Sequence, residues 1–104
     1  MTVCIYELTR TFPKDELYGL TSQLRRATVS VASNIAEGRG RMTDDEFRQF
    51  LGIAQGSTYE VQTQLLVARQ VKMCDEELLC KAEGLCIETS KMLGALIQSL
   101  RARG

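Results

Sequence analysis

Histidine and tryptophan are absent from this 104-residue sequence, proline occurs once, and the aromatics are three tyrosines and three phenylalanines. Without histidine no Ser-His or Cys-His pair exists, and the Glu-x-x-His metal sites of helical bundles cannot form. No serine, cysteine or lysine stands in a pattern that gives a nucleophile an adjacent base, so no catalytic residue is identified and the chain reads as a non-enzyme. A phosphate loop is missing too: Gly38 and Gly40 follow a helical segment rather than a strand and lack the Lys-Ser/Thr of a P-loop.

Net charge is the next absence. Thirteen basic residues face 13 acidic ones, giving zero net charge and a pI near 6.3. A protein that neutralises many phosphates is normally basic overall, because affinity comes from counterions released as Lys and Arg replace them. The overall charge therefore argues against a generic nucleic-acid binder. Cys4, Cys74, Cys80 and Cys86 have no histidine to help them hold a metal, and a six-residue step turns a helix by about 600°, so Cys80 and Cys86 face different ways. They read as reduced, mostly buried thiols, with no metal or cofactor expected. No stretch approaches the ~20 apolar residues needed to cross a membrane, and no basic segment followed by an apolar run opens the chain. A cytoplasmic protein without membrane contact is expected.

What the sequence does contain is helical periodicity along nearly its whole length, read as one domain over residues 1–104. Cys4, Ile5, Leu8 and Phe12 predict a short helix near 3–12, ended by Pro13. Leu17, Leu20, Leu24, Ala27, Val31 and Ile35 predict a long one over 15–38, with a second stripe of Arg25, Thr28, Ala32 and Ala36 that allows packing from two sides. Gly38-Arg39-Gly40-Arg41 then predicts a stop, because two glycines favour leaving helical geometry and admit positive φ at a C-cap. Thr43 and Glu46 have capping-box spacing and open a third helix over 44–72; after a short loop near Met73 to Asp75, a fourth covers 75–102. Short loops make neighbours antiparallel, so the expected fold is all-α, an up-down-up-down four-helix bundle with a shortened first helix. Pairing helices two and three level across their loop places Gly52 opposite Val31, Gly56 opposite Ala27, and Glu60 within one turn of Arg25 and Arg26. The glycines then read as small-on-small packing. The fourth helix is apolar around too much of its circumference for one seam, which predicts a second partner and hence an oligomer.

One stretch is specific enough to suggest a family. Leu17-Tyr18-Gly19-Leu20, Ser22-Gln23, Arg25-Arg26-Ala27, Ser30, Ser33-Asn34-Ile35-Ala36-Glu37-Gly38 and Gly40-Arg41 continue to Phe47, Phe50-Leu51, Ala54, Gly56-Ser57 and Glu60. This pattern resembles that of the small bacterial four-helix-bundle proteins encoded by intervening sequences in large-subunit ribosomal RNA genes. The resemblance implies a bundle that assembles into a cyclic ring, a pentamer, with no established enzymatic activity. Two functions follow as expectations: a scaffold that engages RNA or a nucleic-acid-processing partner, or a ring that binds another protein or a small ligand and never touches nucleic acid. Family context favours the first and neutral charge the second. Arg39, Arg41 and Arg48 cluster at one end of the bundle and read either as solvated arginines offset by Asp44, Asp45 and Glu46 or as an anion-binding rim. Arg25, Arg26, Ser33, Asn34, Glu37 and Glu60 are polar positions that set register or form an interface, with one of the two arginines in an interior ion pair with Glu60.

Overall fold

A computed structural model describes residues 1–72 and 74–103, with no side-chain placement for Leu17 and Tyr18. The expected place of Leu17 on the apolar stripe and the Met73 end of the last loop thus lie outside the described residues. Four helices follow in order: α1 (Thr2–Thr9), α2 (Ser22–Arg39), α3 (Asp44–Gln70) and α4 (Glu76–Arg103). The described residues contain no strand.

The first helix is shorter than its periodicity suggested. Pro13 disfavours helical geometry in the residue before it, and the chain leaves α1 through two tight turns, Thr11 N–H to the Leu8 carbonyl at 3.0 Å and Phe12 N–H to the Thr9 carbonyl at 3.1 Å. Phe12 is nonetheless buried. The second helix likewise does not run unbroken from 15. A 3₁₀ turn at Lys14–Glu16 and a wide π-type turn at Leu17–Thr21, kinked at Gly19, precede it. The apolar spacing through Leu20 and Leu24 survives this change of pitch, which is why periodicity alone did not reveal it.

Pairings across the helices give their directions. Ser30 meets Ser57, Arg26 meets Glu60 and Gln64 meets Gln23, so α2 and α3 are antiparallel. Gln55 reaches the Ser90 carbonyl while Arg69 reaches Glu83, so α3 and α4 are antiparallel too. Met1 lies against Cys86 and Thr11 against Asp75, which runs α1 against α4. Each α2–α3 pairing lies three to four residues further along α3 than a level pairing predicted, about one helical turn. The expected small-on-small packing consequently does not occur: Gly52 and Gly56 are exposed, and a Cβ at either would meet nothing within 4 Å.

The close approach is at Gly38 instead. A Cβ there would lie 2.8 Å from Phe50 Cβ and 2.9 Å from Phe47 Cδ1, so only hydrogen fits between the end of α2 and the start of α3. The anticipated positive-φ stop is absent. Gly40 caps α2 with φ −81°, and no described glycine has positive φ. Lys72 does, at 51°, just past α3, which therefore ends at Gln70 rather than 72. Thr43 caps α3 as expected, its hydroxyl accepting the Glu46 N–H at 3.2 Å.

Two clusters make the core. Ile5, Leu8, Leu24, Val61, Leu65 and Leu79 belong to the one beneath α1; Val31, Leu51, Ala54, Leu93 and Leu100 form the other, where α2, α3 and α4 pack without it. With eight residues against 28, α1 spans about 12 Å of the roughly 42 Å length of α4. Leu93 is 4% exposed, so Leu93→Glu challenges the core of the subunit rather than a contact between subunits.

Two glycine substitutions should have opposite effects. Gly38→Ala must displace two phenylalanines and should destabilise by about 1–3 kcal/mol, whereas Gly52→Ala adds helix propensity in open space and should stabilise by about 0.5–1 kcal/mol. Urea unfolding followed by circular dichroism measures both, and equal effects would contradict this helix packing.

Candidate functional site

Of the six polar positions singled out in the sequence, Arg26, Asn34 and Glu60 lie on a ladder along the α2–α3 seam, whereas Arg25, Ser33 and Glu37 do not. Arg26 Nη2 donates to Glu60 Oε2 at 3.0 Å. Gln64 Nε2 donates to the same carboxylate at 3.3 Å and to Gln23 Oε1 at 3.4 Å. One turn on, the Ser30 and Ser57 hydroxyls meet at 3.0 Å, and Asn34 Nδ2 donates to the Ser30 carbonyl at 2.8 Å and its hydroxyl at 3.1 Å. Asn34 is thus tied within its own helix and reaches α3 only through Ser30. Ser33 stands apart on the exposed face.

The expected interior ion pair is a surface one. The Arg26 and Glu60 side chains are 66% and 40% exposed, where such a pair contributes about 0.2–1 kcal/mol. Its value lies in register. Arg25 points the other way, toward α1: its Nε donates to Thr9 Oγ1 at 2.8 Å and its guanidinium lies over the Tyr6 ring at 4.6 Å.

At the opposite end of α2 the three candidate rim arginines are not equivalent. Arg41 bonds Glu37 one turn back, at 2.9 Å, and lies over the Phe50 ring at 4.7 Å. Arg48 bonds Asp45 at 3.1 Å. Arg39 is exposed and has no ion-pair partner among the described residues. Asp44, which the sequence places beside this group, is taken by Arg103 at 3.4 Å.

Sequence reasoning missed the most connected cation. Arg69 near the end of α3 bonds Glu83 with Nη2 at 2.6 Å, reaches Glu76, and lies 3.3 Å from Cys80 Sγ, stitching α3 to the start of α4. Only the opposite charges flanking the α3–α4 loop hinted at it. Hydrogen bonds from Arg69 hold the Glu76 carboxyl below its ordinary range, while the guanidinium is pushed up first by Glu83 and then by Glu76. The four cysteines are free. Cys4 and Cys86 are buried, and burial raises the Cys86 thiol to about 11, so it stays protonated and unreactive.

The described residues thus form an all-α four-helix protein in which Arg26–Glu60, Arg69 with Glu76 and Glu83, and Arg103–Asp44 tie separate elements together. The chain belongs to the 23S rRNA-intervening sequence protein family, whose model matches residues 1–95. No curated protein shows a significant match to it. No described helix is long and apolar enough to cross a membrane.

The Arg69 hub gives stability an acid-side dependence. Glu76 has a depressed folded pKa, so its contribution is intact above about pH 4.5 and disappears as pH falls through the lower folded value. Because the Glu76 side chain is 68% exposed, the effect should be small. Arg69→Met should lower the melting temperature at pH 7 and lower it by less at pH 3. A loss independent of pH would exclude the charged hub as its source.

Proposed function

We propose that this protein is a non-enzymatic subunit that assembles with copies of itself into a ring, and that the ring presents its arginine-bearing end to RNA or to an RNA-associated partner. The observation that carries the first half is an apolar outer surface on α3 and α4. Tyr59, Leu66 and Ile87 are each half exposed, at 53%, 51% and 50%; Leu66 and Ile87 line one groove between α3 and α4, and Tyr59 shares its face of α3 with the uncovered Gly52 and Gly56. Scattered exposed apolar residues are ordinary, but a contiguous group flanked by bare backbone lets another helix approach closely. Met92, 71% exposed, and Leu96, 38%, extend the apolar surface of α4 around its other side, along the stripe that carries Leu78 and Leu85 beneath α1. The wide apolar circumference of the fourth helix is thereby accounted for on two sides.

Support for the RNA half comes from the family and from Arg39. A single cation of this kind binds RNA weakly, yet a ring repeats it around a circle, and simultaneous contacts raise affinity through effective concentration. Arg41 and Arg48 are each held by a carboxylate close in sequence, and contact with phosphate would exchange those local pairs. The competing reading, a ring that binds a protein or small ligand without nucleic acid, draws its support from the neutral net charge.

Two measurements separate these readings. Sedimentation at micromolar concentration should give a multiple of 11.6 kDa, and the double change Leu66→Glu, Ile87→Glu should give a folded monomer, since neither side chain is in the core. An 11.6 kDa wild-type species would end the assembly proposal. In mobility shifts with ribosomal RNA fragments across a salt series, Arg39→Ala with Arg41→Ala should weaken binding and flatten its salt dependence, while stability changes within about 0.5–1 kcal/mol. No binding by the wild type at low salt would leave the protein-scaffold reading in place.

A further inference from the structure

Three cations that the α2–α3 ladder and the rim do not use line one cleft. Where the chain leaves α1 and turns toward α2, Thr9, Arg10, Phe12, Pro13, Lys14, Thr21 and Arg25 enclose about 330 Å³. None of Arg10, Lys14 and Arg25 has an ion-pair partner among the described residues, whereas Arg26, Arg41, Arg48, Arg69 and Arg103 each have one. No carboxylate lines the cleft. Of the carboxylates nearest in sequence, Glu7 and Asp15 are exposed and form no ion pair with these cations among the described residues, and Glu16 turns its oxygen to the Leu20 N–H at 3.4 Å. In a chain of zero net charge, three unpaired cations around one concavity form a local excess of positive charge.

Arg25 is also oriented. The Thr9 hydroxyl gives its proton to the Ile5 carbonyl at 2.8 Å, which leaves its oxygen free to accept Arg25 Nε at 2.8 Å. The Tyr6 ring fixes the guanidinium plane from one side. Both terminal nitrogens of the fork remain without a protein acceptor among the described residues, and a planar fork held in this way matches two oxygens of a phosphoryl group.

We propose that this cleft binds the phosphoryl group of a nucleoside monophosphate, with Arg25 as the fixed, bidentate contact and Arg10 and Lys14 as the mobile ones. The volume exceeds what a phosphate needs and falls at the small end of ligand sites, and Phe12 and Pro13 offer an apolar wall for the sugar or base. Such a group comes either from a free mononucleotide or from the phosphorylated end of an RNA strand. The site lies at the other end of α2 from Arg39, about 21 Å away at the helical rise from Arg25, so it stands or falls independently of the rim.

Titration calorimetry on the full chain, at ionic strength matched with chloride, should show adenosine 5′-monophosphate and inorganic phosphate binding saturably, one per chain. Arg10→Ala with Lys14→Ala removes two exposed side chains and should weaken both at least about tenfold, the loss expected of two charge-assisted contacts, with little change in the melting temperature of the unliganded protein. Arg25→Lys keeps the charge but not the fork and should weaken phosphate comparably. Arg39→Ala with Arg41→Ala should leave these affinities untouched. Absence of saturable binding to both ligands, or equal binding by the Arg10, Lys14 variant, overturns the proposal. Oligoribonucleotides with a 5′-phosphate or a 5′-hydroxyl then distinguish the sources: tighter binding of the phosphorylated strand assigns the site to RNA ends, and equal binding assigns it to the free nucleotide.

Discussion

The contact between the end of α2 and the start of α3, where Gly38 leaves no room for a side chain against Phe47 and Phe50, governs the arrangement of this molecule. It brings the two axes together one residue before α2 ends and a few residues after α3 begins. From there the partners along the seam follow by helical rise: Ser30 with Ser57, then Arg26 with Glu60, then Gln23 with Gln64. A hydroxyl pair, a surface ion pair and an amide pair are each modest in energy. Their combined effect is selective, because sliding α3 by one turn would break all of them while the apolar stripe still matched tolerably.

Most of the fold was legible because helical periodicity is a strong signal in a chain with one proline and no alternating segments. The start of α3 with its Thr43 cap and the extent of α4 follow from local signals, although α1 and α3 each end earlier than periodicity suggests. The larger failure was non-local. A level pairing assumes that two helices meet squarely across their loop, but the phenylalanines at the start of α3 set the offset, and Gly52 and Gly56 moved from a presumed helix crossing to open surface. Continuity through residues 15–21 failed for a different reason: a π-type turn keeps apolar residues on roughly the same side, so Leu20 and Leu24 look periodic across it. Among the polar residues, the nearness of Arg26 to Glu60 was legible, Ser30 with Ser57 and Gln23 with Gln64 were not singled out, and Arg69 was missed, since its partners are 7 and 14 residues away across a loop.

Neutral overall charge conceals an uneven distribution. Among the described residues five arginines are neutralised by carboxylates, two of them, Arg41 and Arg48, by neighbours three or four residues away. The unpaired ones include Arg39 at one end of α2 and the group around Arg25 near the other. A net count treats a guanidinium committed to Glu83 and one lining a cleft without carboxylates as the same quantity, although only the second is available to an anion.

The division of the core into two clusters has a dynamic consequence. Beneath α1 four helices shield one another; beyond it, Val31, Leu51, Ala54, Leu93 and Leu100 are shared among three. Opening of the three-helix end exposes a smaller cluster and need not disturb Leu8, Leu24 or Leu65, so it requires less free energy than global unfolding. Amide exchange should therefore be graded along α3 and α4, with protons near Leu65 and Leu79 lost last and those near Leu51 and Leu100 lost first. The two ends of one continuous helix would then behave as separate cooperative units, with any surface formed at the three-helix end the more easily remodelled.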